Sequence, residues 1–143
     1  MSNPLFLPSS VRVLVVDDHP DLLSMLDLVM QRRKYAVKTA QSADEAIKMA
    51  TDFAPHIVVS DIGMPGMDGY QLMAHLRAAP DMAPFKSIAL TGYDISTEDN
   101  RAMTSGYDAH MTKPIEFEQL FEMIENLVCD MQKEEWQKND LEN

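Results

Sequence analysis

Short apolar runs rich in β-branched residues recur along the chain, and each is followed by a stretch whose apolar residues fall on a helical period. Val11 to Val16 (VRVLVV) is the first run, and Leu22, Leu26, Val29 and Met30 then keep an i, i+4, i+7, i+8 stripe that predicts one buried helical face. Pro20 stands where a helix accepts proline, in its first turn. The alternation repeats: Ala36 to Thr39 reads as a second strand, and Ser42 with Glu45 forms a capping-box signature for a helix running to about Asp52. Pro55 stops that helix, and Ile57 to Ser60 (IVVS) is a third strand with Asp61 at its carboxyl end. A loop over residues 62–69, rich in Gly and Pro, leads into a helix from Tyr70 to Arg77. Ser87 to Leu90 predicts a fourth strand ending at Thr91, and Ser96 to Ser105 a fourth helix stopped by Gly106. Ala109 to Thr112 is a fifth strand ending at Lys113-Pro114. Phe117, Leu120, Phe121, Ile124, Leu127, Val128 and Met131 then mark the apolar face of a fifth helix.

Strands that alternate with helices imply βαβ units, whose right-handed crossovers bury a parallel sheet between two helical layers. The expected fold is therefore α/β: a doubly wound, five-stranded parallel sheet in the order 2-1-3-4-5, flanked by five helices as a flavodoxin-like three-layer sandwich. Residues 1–10 read as a leader, 11–128 as one folded domain, and 129–143 as an acidic tail that extends the last helix. In such sheets the ligand site lies beyond the carboxyl ends of the strands, where strand order reverses. Asp17, Asp18, Asp61, Thr91 and Lys113 all fall at those ends.

Composition narrows the function classes. With 45% hydrophobic and 24% charged residues, the 143-residue chain is typical of a globular domain. Twelve basic against 23 acidic residues leave a net charge of −11, which repels a nucleic-acid backbone and argues against direct nucleic-acid binding. The sequence shows neither a membrane-spanning apolar run nor a signal peptide, so the expected compartment is the cytoplasm and no membrane partner is expected. The single cysteine, Cys129, reads as a small apolar filler, and the twelve methionines as packing residues. His19, His56 and His75 share no metal-ligand spacing and are read as solvated loop or helix residues.

Adjacent first and third strands would bring Asp17, Asp18 and Asp61 into one cleft. At about 4 Å and an effective dielectric near 20, each like-charged pair costs roughly 4 kcal/mol, which demands protonation or a counter-charge. A divalent cation answers that demand, and hard oxygen ligands without a Cys or His cluster favour Mg²⁺ over zinc. Phosphoryl transfer needs an in-line nucleophile and positive charge around the equatorial oxygens. Asp61 can be the nucleophile, Lys113 and the cation can neutralise the charge, and the Thr91 hydroxyl can donate to a phosphoryl oxygen. An aspartyl phosphate would be the product.

These residues resemble the receiver domains of two-component response regulators, over about Val11 to Val128. The resemblance is carried by the acidic pair in VLVVDDHP, the acceptor segment VVSDIGMPGMDGY, the hydroxyl in IALTGYD and the lysine in MTKPI. It implies that Asp61 is the phosphoacceptor and that Asp17, Asp18, Asp61 and the Gly63 backbone carbonyl hold Mg²⁺. It further implies that Thr91 and Lys113 bind the phosphoryl group, and that the Lys113-Pro114 bond is cis. A sensor histidine kinase or histidine phosphotransfer protein would be the donor. A downstream protein partner would dock on the face formed by the fourth helix, fifth strand and fifth helix. The domain would be a phosphoacceptor that assists its own phosphorylation and dephosphorylation, not a dedicated enzyme.

Three other readings compete with this one. An aspartate-nucleophile phosphatase would place a second carboxylate two residues after the nucleophile, where this chain has Gly63. A flavodoxin-like cofactor binder would offer hydroxyls and amides in its first loop, where this chain has Asp17-Asp18. A degenerate receiver acting as a phosphorylation-independent binding module would not need Asp61, Thr91 and Lys113 intact. The chain departs from the family at the switch aromatic, three residues before the lysine, where His110 stands. That substitution is expected to weaken the coupling of phosphorylation to surface change. Larger ¹⁵N shift perturbations on phosphorylation in His110→Tyr than in wild type would bear this out; matching perturbations would count against it.

Overall fold

The computed structural model describes residues 11–92 and 106–142, with side-chain surroundings as far as residue 134. Five strands are present: β1 (Arg12–Val16), β2 (Ala36–Ala40), β3 (Ile57–Asp61), β4 (Lys86–Thr91) and β5 (Ala109–Thr112). They form one sheet in the order β2-β1-β3-β4-β5, and every adjacent pair is parallel, as expected. The described residues hold four helices: α1 (Pro20–Arg32), α2 (Ala43–Phe53), α3 (Gly69–Ala78) and α4 (Phe117–Glu142). The fourth helix expected from sequence, 96–105, lies outside the described residues, so the last helix carries the label α4.

Burial follows position in the sheet. Every residue of β3 is buried, as is each residue of β1 and β4 after the first, whereas the edge strands β2 and β5 are only partly covered. Central strands covered on both faces explain why their sequences read as continuous apolar runs. Side chains alternate between the two faces. Leu14, Val16 and Val58 pack with Ala46, Ala50, Leu72 and Met73 of α2 and α3 on one side. Val13, Val15, Val59 and Leu90 pack with Leu26, Met30, Leu120 and Ile124 of α1 and α4 on the other. No helix among the described residues is long and apolar enough to cross a membrane.

Local signals explain the helix starts. The Ser42 hydroxyl accepts the Glu45 amide at 3.2 Å, as the capping signature implied, but the Glu45 carboxylate reaches back to the Gln41 amide at 2.8 Å. A complete capping box opens α3, where Asp68 and Gln71 exchange side-chain to backbone bonds at 2.9 Å each. Away from the carboxyl ends of the strands, Arg77 of α3 ties the turn before β5 to β4. Its guanidinium donates to the Gly106 and Phe85 carbonyls, pairs with Asp108 at 2.9 Å and lies over the Phe85 ring.

His56 differs from the solvated residue expected. It is half-buried at the entrance to β3, and its Nδ1 accepts the Arg12 amide at 3.0 Å. Burial, then the Arg12 charge, depresses its pKa below the ordinary 6.5. A depressed folded-state pKa gives stability that is complete above the unfolded value and is lost as pH falls below about 6.5. The urea midpoint of wild type relative to His56→Asn, whose amide oxygen can take the same acceptor place, should therefore fall between pH 7.5 and 5.5. An unchanged or rising difference would contradict this.

Candidate functional site: an acidic cluster closed by a lysine

Sheet register assembles the site. Val16 pairs with Ser60, so the next residues, Asp17 and Asp61, stand side by side at the carboxyl ends of β1 and β3. Asp61 pairs in turn with Leu90, and Thr91 with Thr112, which places Thr91 and Lys113 at the ends of the next two strands. The Lys113 amide donates to the Thr91 carbonyl at 2.7 Å, holding the end of β5 against that of β4, and the Lys113-Pro114 bond is cis.

The carboxylates of Asp17 and Asp61 and the Lys113 ammonium meet in the space so formed. Asp17 is fully buried, and Asp61 and Thr91 are almost so. The Lys113 ammonium lies 3.0 Å from Asp17 Oδ2 and 3.5 Å from Asp61 Oδ1. Burial works against that ammonium, but the hydrogen bond and charge of Asp17, reinforced by Asp61, outweigh it and raise the Lys113 pKa. Burial and then the neighbouring Asp17 charge raise the Asp61 pKa, against the opposing pull of Lys113 and of the Gly63 amide, which donates to Asp61 Oδ1 at 3.4 Å. One cation thus serves two buried carboxylates.

His19, read from sequence as a solvated residue, is exposed yet engaged. Its Nδ1 stands 2.8 Å from Asp17 Oδ1 and 3.2 Å from Asp18 Oδ1, and the hydrogen bond and charge of Asp17 raise its pKa. His75 is an exposed position of α3, as expected. His110 does not join the cluster: it is half-buried on β5, in a cleft lined also by Gln119, Glu122, Met123 and Asn126 of α4.

The donor set suits a hard divalent cation. Asp17, Asp18, His19 and Asp61 each offer one ligand atom, all within 4.8 Å of one another. Asp18 Oδ1 is buried and accepts no hydrogen bond, with only an ion-pair contact to the exposed His19 ring at 3.2 Å, and it lies beside two other carboxylates. Mg²⁺ prefers oxygen ligands, here the three carboxylates, and retains water in the remaining positions.

Comparison with known proteins agrees with this geometry. The sequence matches the response regulator receiver domain family over residues 13–125, and the chain belongs to that family. Receiver domains are the phosphoacceptor signalling modules of two-component systems. The chain is 33% identical over 113 residues to an uncharacterized 14.6 kDa protein of Leptolyngbya boryana, covering 79% of this chain and 86% of that one. It is 31% identical over 120 residues to the transcriptional regulatory protein TrcR of Mycobacterium tuberculosis, 84% of this chain but 46% of TrcR. Among solved structures, the Thermotoga maritima response regulator TrrA in complex with Mg²⁺-BeF superposes with a TM-score of 0.72 at 30% identity, over 82% of this chain and 98% of TrrA.

Two substitutions separate the roles of the charges. In EDTA at neutral pH, Asp61→Asn should raise the thermal midpoint, because it removes a carboxylate whose charged form the fold disfavours. Lys113→Met should cost about 2–3 kcal/mol, at or below the lower end of the range for breaking a buried pair because the ammonium keeps some solvent contact. Calorimetry of both variants checks the pair. A lower midpoint for Asp61→Asn, or none lost in Lys113→Met, would refute the assignment of Lys113 as the counter-charge.

Proposed function

We propose that Asp61 accepts a phosphoryl group, in a Mg²⁺-dependent reaction, from the phosphohistidine of a sensor histidine kinase or histidine phosphotransfer protein. The observation that carries this reading is the buried Asp61 carboxylate beside Asp17 and Asp18, with one Asp61 oxygen 3.5 Å from the Lys113 ammonium. A carboxylate oxygen attacks phosphorus, the bond from phosphorus to the donor nitrogen breaks, and the donor imidazole keeps the bonding electron pair. Lys113 balances charge on the transferred group, and Thr91, at the end of β4, supplies a hydroxyl to it. Asp17, Asp18, Asp61 and the Gly63 carbonyl would hold the ion, whose charge lowers the barrier for an anionic donor approaching three carboxylates.

Residues 11–128 form the receiver in this reading and 129–143 an acidic tail on the last helix. Phosphorylation signals to a protein partner through the exposed side of β5 and α4, where His110 lies in its cleft. The exposed Met25 and Leu28 on α1, the helix that follows Asp17, give a donor protein an apolar surface.

The test is intact mass after incubation with a small-molecule phosphodonor, with Mg²⁺ or with a chelator. Wild type should gain one phosphoryl group only with Mg²⁺, and Asp61→Asn should gain none. No gain in wild type from small donors or from a panel of histidine kinases would sink the phosphoacceptor reading and leave the binding-module reading in its place.

A further inference from the structure

Tyr107 is a buried residue that the phosphoacceptor chemistry does not use. It sits in the turn before β5 and packs in the core layer that holds Met64, Tyr70, Leu72 and Met73. Its hydroxyl donates to the Gly69 carbonyl at 2.8 Å, across 38 residues of sequence. Gly69 opens α3 and closes the acceptor loop, because its own amide donates to the Ile62 carbonyl at 2.9 Å. The Gly69 backbone also lies directly on the phosphoacceptor: a Cβ there would stand 2.5 Å from the Asp61 carbonyl oxygen and 2.7 Å from the Ile62 Cα. One hydroxyl therefore holds the far end of the loop that carries Gly63 against the residue it must position. Burial raises the Tyr107 pKa, so the hydroxyl remains a donor throughout the range in which the site works.

The same residue leads straight into β5. Two positions further on, Ala109 begins the strand that carries His110 and ends before Lys113. The Arg77 guanidinium fixes the residues on either side of Tyr107 by binding the Gly106 carbonyl and the Asp108 carboxylate. The turn that makes the Tyr107 hydrogen bond is therefore braced on both sides of that residue.

We propose that Tyr107 is a positioning residue that sets the geometry of the acceptor loop and couples it to β5 through its hydrogen bond to Gly69. The inference rests on the phosphoacceptor reading of Asp61 and adds the element that links that site to the partner face. It differs from a packing role in what it predicts. A residue that only filled the core would change stability and leave the ion affinity of the folded protein untouched.

The experiment uses ¹⁵N-labelled full chain, titrated first with Mg²⁺ and then with beryllofluoride, which mimics an acyl phosphate. Tyr107→Phe keeps the ring and deletes the hydroxyl. The variant should bind Mg²⁺ at least threefold more weakly, and beryllofluoride should move its Ala109 to Thr112 amides less than half as far as in wild type. Wild-type Mg²⁺ affinity together with a full β5 response would overturn the proposal, whatever the thermal midpoint. Tyr107→Met, an apolar filler without the hydroxyl, carries the same readout should the Phe variant not fold. If wild type ignores beryllofluoride altogether, the phosphoacceptor reading fails, and the Mg²⁺ affinities alone then decide the role of Tyr107.

Discussion

Like charges brought together at the ends of neighbouring parallel strands are the constraint on which the rest of this structure depends. Asp17 and Asp61 emerge side by side because Val16 pairs with Ser60, and both carboxylates are removed from water. Repulsion of this size is tolerated only with positive charge nearby. Lys113 provides part of it, and it can do so because β4 and β5 continue the parallel register and the Lys113 amide is fastened to Thr91. The exposed His19 ring, 2.8 Å from Asp17 and 3.2 Å from Asp18, adds to this, yet the buried Asp18 oxygen still accepts no hydrogen bond. A site whose negative charge is compensated only in part suits a divalent cation and, with it, a dianionic group, because the same cation then serves both.

Rigidity around the cluster comes from elements with no role in the chemistry. The fully buried β3 fixes Asp61, and the Asp68–Gln71 capping box fixes the start of α3 just beyond the acceptor loop. The close approach of Gly69 to the Asp61 carbonyl leaves no space for a side chain, so helix and strand end move together. At the opposite end of the sheet Arg77 binds two carbonyls, a serine and Asp108, which anchors the turn before β5. The acceptor loop and the strand bearing His110 are therefore linked through packed, hydrogen-bonded residues and not through solvent.

The sheet and the principal site residues were legible in the sequence because they rest on local signals. Apolar β-branched runs located the strands to within about a residue, and acidic, hydroxyl and lysine residues at their ends located the cleft. What the sequence hid depends on separation or on side-chain direction. Tyr107 to Gly69 spans 38 residues and Arg77 to Asp108 spans 31, so neither leaves a local pattern. His19 lacks metal-ligand spacing with another histidine, yet the turn after Asp17 folds its ring back onto that carboxylate. His56 looked like a loop residue because its acceptor role is to a backbone amide, which no sequence pattern reports. The Asp68-x-x-Gln71 cap could have been found, as it has the form of the Ser42 signature, but it stands in a loop read only for its Gly and Pro content.

The central claim is the chemical identity of the phosphorylated side chain. An acyl phosphate, unlike a serine or threonine phosphate, reacts with hydroxylamine, which attacks the carbonyl carbon, releases phosphate and leaves a hydroxamate. Treating the phosphorylated protein with hydroxylamine and sequencing its peptides by mass spectrometry should place a single hydroxamate on Asp61. A phosphoryl group that survives hydroxylamine, or a hydroxamate on Asp17 or Asp18 in place of Asp61, would contradict the account.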